Sequence, residues 1–138
     1  MQRILTPLAP WAYALLRGAY GLLFACHGAQ KLLGWFGGMP PGVDVSPFGM
    51  IWFAGVIELV GGLLVGLGLF TSWAAFLCSG LMAVAYFISH QPEGLLPIAN
   101  GGELAALYSF GFLLIATRGD GALALGPALG LGDRSGPR

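Results

Sequence analysis

Charge is scarce in this 138-residue chain: six Lys and Arg and six Asp and Glu make up 9% of it and cancel formally to zero. No run of Lys or Arg exists to make the salt-dependent phosphate contacts of a nucleic-acid binder, so that class is excluded. Cysteine is scarcer still. Cys26 and Cys78 are too few to hold an iron–sulfur cluster, and neither a haem-attaching C-x-x-C-H nor a dinucleotide-binding G-x-G-x-x-G occurs. No internal repeat of fixed period is present either. What remains is apolar: 57% of residues are hydrophobic and the mean hydropathy is +0.80. A chain with so little polar surface cannot coat a soluble domain, and the composition is that of an integral membrane protein.

At roughly 20 residues per crossing, four spans fit, and an all-α four-helix transmembrane bundle is expected. The spans fall at about 11–33, 47–70, 73–89 and 102–117, making a membrane domain of residues 1–118 followed by a tail, 119–138. Pro40, Pro41 and Asp44 mark the connection after the first span, since they cannot sit unpaired in lipid. Ser46-Pro47 reads as the N-cap and first residue of the second span. The apolar stretch 48–88 is broken only by Glu58 and would be about 60 Å long as one helix at 1.5 Å per residue, so it must fold back, with Thr71-Ser72 as the expected turn. The apolar piece 122–131 is too short to cross and holds Pro127, so it is expected on the surface or loose.

Trp11, Trp35, Trp52 and Trp73 all fall at expected span ends, where an indole ring sits at the interface. Arg3, Arg118, Arg134 and Arg138 share one side with both termini, while the two longer loops on the other side carry Asp44 and Glu93. The positive-inside rule therefore predicts cytoplasmic termini in a multi-pass protein of the inner (plasma) membrane. The 23–26 stretch, Leu-Phe-Ala-Cys, loosely resembles a lipoprotein cleavage site, but Arg17 breaks the apolar region such a signal needs. Glycine is abundant, 24 of 138, and much of it lies inside spans. Gly18, Gly21, Gly55, Gly62, Gly66 and Gly111 are expected to let helices approach closely. Gly62-x-x-x-Gly66 fits either packing within the chain or self-association into a homo-oligomer.

Ionisable residues inside such spans are costly, which makes them candidates for function. Phe24, His27, Gly28 and Lys31 share one stripe of the first span at helical spacing, and Arg17 lies on the same stripe two turns below Phe24. Glu58 sits inside the second span, where Arg17 or Lys31 would neutralise it. His90 closes the third span; Asn100 and Glu103 open the fourth. The expected topology brings His27, Gln30, Lys31, Glu58, His90, Asn100 and Glu103 to one side, where they can converge in a pocket. Plainer roles compete with this reading. Asn100-Gly-Gly-Glu103 matches a capping box, Lys31 and His90 can reach back to the interface, and Arg17 with Glu58 can be a structural ion pair.

The pattern R-x-x-x-G-x-x-F-x-x-H-G-x-x-K-L-x-G-W-F-G-G over residues 17–38, the glutamate in Ile57-Glu58-Leu59-Val60-Gly61-Gly62, and Asn100-Gly-Gly-Glu103 together resemble the DoxX family. The resemblance covers about residues 15–117. It implies a small four-helix membrane protein, with an oxidoreductase role suggested by the family's namesake, a subunit of an archaeal thiosulfate:quinone oxidoreductase, and by members linked to quinones and oxidative-stress defence. On that footing the expected ligand is a quinone or a similar lipophilic molecule. His27 and Glu58 are the candidate catalytic pair; Arg17, Gln30, Lys31, His90, Asn100 and Glu103 are candidate ligand-binding residues.

A quinone takes up two electrons and two protons on reduction. Lys31, His27 and Gln30 could bind its carbonyls, and His27, His90, Glu58 and Glu103 could relay protons. Electrons would have to come from a redox partner protein, a small thiol or sulfur substrate, or a metal centre. A metal held by His27, His90, Glu58 and Glu103 would follow no established ligand spacing, so no metal site is assigned. Cys26 and Cys78 are expected at opposite depths, too far apart for a disulfide. The alternative of another class is a non-enzymatic scaffold or a protein that passes protons or small solutes, with the same residues as structural pairs or a proton path.

Overall fold

The structure is a computed structural model, and it describes residues 1–131. Arg134 and Arg138, two of the arginines behind the expected orientation, and the last residues of the tail lie outside the described residues. Every regular element among the described residues is helical. The long helices are α1 (Ala9–Leu33), α2 (Met50–Leu67), α3 (Thr71–Glu93) and α4 (Glu103–Arg118). Of these, α2 and α3 are long and apolar enough to cross a membrane by length and composition, and only 28% and 33% of their apolar windows are buried. They are therefore not the enclosed core helices of a soluble protein.

The surface is as apolar as the interior. Leu15, Leu22, Trp73, Phe76, Leu107 and Phe110 are exposed along the helices, whereas Arg17, Glu58, Thr71, Ser79, Asn100 and Asp120 are buried. In water such a surface would drive aggregation. Against lipid it is the expected exterior, and the protein is a membrane protein.

Local chemistry sets the helix ends. Pro10 opens α1, and Gly34 ends it in the left-handed region at φ 68°. Helix α2 starts three residues later than the Ser46-Pro47 signal suggests. The Ser46 amide donates to Asp44 Oδ1 at 2.8 Å and its hydroxyl to Oδ2 at 3.1 Å, so Ser46 closes an Asx turn instead of capping a helix. The turn between α2 and α3 comes earlier than Thr71-Ser72. It is formed by residues 68–70, with Gly68 at φ 72° and Phe70 at φ 48°, and Thr71 already belongs to α3. Residues 23–26 lie inside the unbroken α1.

Helices α1 and α2 run antiparallel at close range. A Cβ on Gly21 would strike the backbone of Gly62 and Gly66, and one on Gly28 would strike the backbone of Gly55 and Leu59. Gly62 and Gly66 are thus occupied by packing within the chain. Helix α3 pairs closely with α4 and also contacts α2. Phe24, Tyr108 and Phe112 form the centre of the core, with ring centroids 4.7–5.7 Å apart.

The segment after α4 does not lie loose. Gly126 N–H donates to Gly68 O at 2.8 Å, Thr71 Oγ1 donates to Asp120 Oδ1 at 2.5 Å, and the Tyr13 hydroxyl donates to Gly119 O at 2.6 Å. Local polar bonding, invisible to a count of apolar length, seats this piece against the α2–α3 turn.

Candidate functional site

Glycine contact places the first charged pair. Gly55 faces the Lys31 side chain, close to its Cβ, so the lysine stem lies over α2. One turn further along, Lys31 Nζ reaches Glu58 Oε2 at 2.6 Å, with the two side chains 18% and 5% exposed. Opposite charge at that depth offsets the cost of burying either group alone.

Arg17 takes no part in that pair. Seven residues, roughly 10 Å of helix rise, separate Glu58 from Val65, and Arg17 is at the Val65 level. Its Nη1 donates to Val65 O at 2.6 Å and Gly66 O at 2.9 Å, and its Nη2 to Leu123 O at 3.0 Å and Ala122 O at 3.3 Å. The guanidinium caps the C-terminal carbonyls of α2, where a cation is favoured, and ties them to the final segment. Of the two candidate partners for Glu58, Lys31 is the one that meets it.

Beside the Lys31–Glu58 pair is a cavity of about 480 Å³, within the ~300–1,000 Å³ range of small-molecule sites. Its wall is mainly apolar, including Phe24, Met39, Met50, Ile51, Met82 and Leu104. The polar groups facing it are few: His27, Lys31, Glu58, Ser89, His90 and Tyr108. His27 packs edge-on against Tyr108, with centroids 6.0 Å apart, and makes no hydrogen bond among the described residues. Glu58 lies in a single π turn of α2, Ile57–Gly61, and His90 in another near the end of α3, Tyr86–His90. Such turns, with their altered side-chain register, recur at functional sites.

The other candidates sit elsewhere. Gln30 Nε2 donates to Gly38 O at 3.0 Å and fastens the chain after α1. Glu103 is exposed and does not line the cavity. The Asn100–Glu103 capping box is not made, because α4 is capped at Gly102 without a side-chain bond. Asn100 is instead a buried support. Its Oδ1 accepts from Gly102 N at 2.8 Å, its Nδ2 donates to Gly94 O at 2.7 Å, and its carbonyl lies 3.1 Å from His90 Nδ1. It acts on the cavity through His90. Of the eight candidates, the structure thus brings His27, Lys31, Glu58 and His90 together, and places Arg17, Gln30, Asn100 and Glu103 outside the wall.

Tyr108 and Ser89 line the cavity but were not among the candidates. For Tyr108 a signal existed, since it is the lone phenol of the last span; Ser89, at a helix end, had none. Cys26 is exposed and Cys78 buried, each as a free thiol. Among the described residues, no three of His, Cys, Asp and Glu converge as a group able to hold a metal ion.

The DoxX family profile matches residues 12–91, which hold His27, Lys31, Glu58 and His90. The chain belongs to the DoxX family. An uncharacterized protein of Haemophilus influenzae is 45% identical over 119 residues, spanning 84% of this chain and 89% of that relative. No solved structure matches the chain. The DoxX assignment agrees with the apolar exterior in making this a membrane protein. The geometry adds what the family match lacks, a cavity with an ion pair and two imidazoles in its wall.

Proposed function

We propose that this DoxX-family protein is a multi-pass protein of the inner membrane whose four long helices form a transmembrane bundle with both termini cytoplasmic. Its cavity binds a quinone or a similar small lipophilic molecule as part of an oxidoreductase system. The observation that carries this reading is the combination in one wall of a wide apolar surface with the Lys31–Glu58 pair, His27 and His90. An apolar ring reaching the site through lipid would bury its hydrocarbon against Phe24, Ile51 and Leu104. A few polar groups would then fix its oxygens, the usual division of labour in small-molecule sites.

A bound quinone supplies the capacity to take up two electrons and two protons. The chain's own contribution is binding, orientation and proton handling. Lys31, held by Glu58, offers its remaining N–H groups to a ligand oxygen. His27 and Glu58 are positioned at the cavity to exchange protons with a ligand oxygen. The electrons come from a partner protein or a small reduced substrate. Arg17 and Asn100 serve this site indirectly, by holding the helix ends and the His90 ring.

The test is quinone affinity of the purified protein in lipid nanodiscs, for the wild type and for His27→Ala and Glu58→Gln. A loss of about tenfold or more in each variant is expected, the equivalent of ~1.4 kcal/mol for one lost polar contact. Equal affinity in all three would remove the cavity from the function and favour a scaffold or a permeation protein, the latter read out as proton or solute flux in liposomes.

A further inference from the structure

The tautomer of His90 is fixed by its neighbour. His90 Nδ1 lies 3.1 Å from the backbone carbonyl oxygen of Asn100. A carbonyl oxygen only accepts, so Nδ1 carries the hydrogen, and in the neutral imidazole Nε2 keeps its lone pair. The arrangement is braced from behind. The ring stacks on Tyr86 at 6.4 Å and 28°, the Tyr86 hydroxyl donates to Leu95 O at 2.9 Å, and Asn100 Nδ2 reaches both Gly94 O at 2.7 Å and the Tyr86 hydroxyl at 3.4 Å. His90 lines the cavity, and its second ring nitrogen, which takes no hydrogen bond from a described residue, is therefore an acceptor set in place.

The ion pair adds a second acceptor. Lys31 binds Oε2 of Glu58, while Oε1 takes no hydrogen bond from any described residue. With the ammonium neutralised by the carboxylate, the wall carries no surplus positive charge to draw an anionic ligand. A fully oxidised quinone can accept from Lys31 but presents only lone pairs to the lone pairs of His90 Nε2 and Glu58 Oε1, and leaves both acceptors unmet. A ring bearing hydroxyl groups donates to them.

Building on the proposed quinone-type ligand, we infer that the cavity selects the reduced, hydroxyl-bearing form of the ring, a quinol or related phenol, by accepting its O–H at His90 Nε2. His90 is then a specificity-determining contact, and Asn100 is the residue that positions it. The part-buried polar acceptor is what disfavours the form without the hydroxyl, since an acceptor that an apolar ligand covers and leaves unpaired loses the hydrogen bond it would keep in water.

The experiment measures binding of three probes to the full chain in nanodiscs under anaerobic conditions: a decyl-substituted benzoquinol, the matching benzoquinone, and the dimethyl ether of the benzoquinol. The quinol is expected to bind about tenfold tighter than either of the others. His90→Phe should shrink that ratio to about threefold or less by weakening the quinol alone, and His90→Gln, which keeps an acceptor, should restore it. Equal binding of quinol and dimethyl ether, or tighter binding of the quinone, would overturn the selectivity while leaving the cavity's ligand class standing. Failure of all three probes to bind would overturn both. The wild-type comparison needs no variant to fold.

Discussion

The two ends of α1 hold buried polar residues in opposite conditions. Arg17 is 1% exposed and makes four hydrogen bonds to main-chain carbonyls of α2 and the final segment; only its Nε lacks a partner among the described residues. Around it, Tyr13 and Thr71 are bonded to Gly119 and Asp120. Fourteen residues on, about 21 Å along the helix, Lys31 has one partner, His90 uses one ring nitrogen, and His27 and Tyr108 use none among the described residues. The first end is a staple whose hydrogen bonds are nearly all made within the chain. The second keeps hydrogen-bonding capacity in reserve around a cavity. An ionisable residue in an apolar helix is therefore not in itself a sign of a binding site; what separates the two roles is whether its hydrogen bonds are already made within the chain.

The comparison predicts different responses to substitution, and the largest effect on stability belongs at the saturated end. Arg17→Met keeps the bulk of the stem but withdraws the donors from two C-terminal carbonyls of α2 and from the final segment. A loss on the order of 3 kcal/mol is expected, as for leaving several buried acceptors unmet. Thermal unfolding in nanodiscs reads it, and the folded fraction should retain wild-type affinity for the cavity's ligand. If ligand affinity falls while stability does not, Arg17 belongs to the site after all and the division between the ends fails.

Much of this was legible in the sequence because membranes penalise so simply. The all-helical class follows from apolar length, and the ionisable residues stand out because each is expensive in lipid. Lys31 and Arg17 could not be told apart as partners for Glu58 by spacing alone, since both lie on the His27 stripe. The choice was made by the glycine contacts that set how far α1 slides along α2. The Asp44–Ser46 turn displaced the start of α2, and the seating of 119–131 depended on carbonyls, which every residue has and no sequence pattern marks. The two π turns were equally hidden, because packing sets them. The cavity wall drew on ordinary residues such as Ile51, Leu81 and Leu104, whose identity says nothing about the space beside them.

A smaller stability effect is expected where the final segment meets α3. Thr71→Val is close to isosteric and removes only the hydroxyl that donates to Asp120 at 2.5 Å. A loss of about 1.5 kcal/mol is expected, typical of a hydrogen bond to a charged group. It should appear as a lower unfolding temperature, with easier proteolysis of the segment after α4. Unchanged proteolysis would mean that the carbonyl bonds to Arg17 and the Gly126–Gly68 bond hold the segment without Thr71.

The smallest effect on stability, and the sharpest contrast with Arg17, is expected where two charges are removed together. Replacing only Glu58 strands Lys31, but Lys31→Met combined with Glu58→Leu substitutes apolar side chains for both members of a pair that each cost desolvation to bury. The double variant should unfold within about 1 kcal/mol of the wild type, or above it. It should also lose at least about tenfold in quinone or quinol affinity, because the cavity then offers no carboxylate and no ammonium. A stable protein with a silent cavity is what a pair kept for binding predicts. A protein that collapses without the pair would make Lys31 and Glu58 a second staple, and the difference between the two ends of α1 would reduce to one of degree.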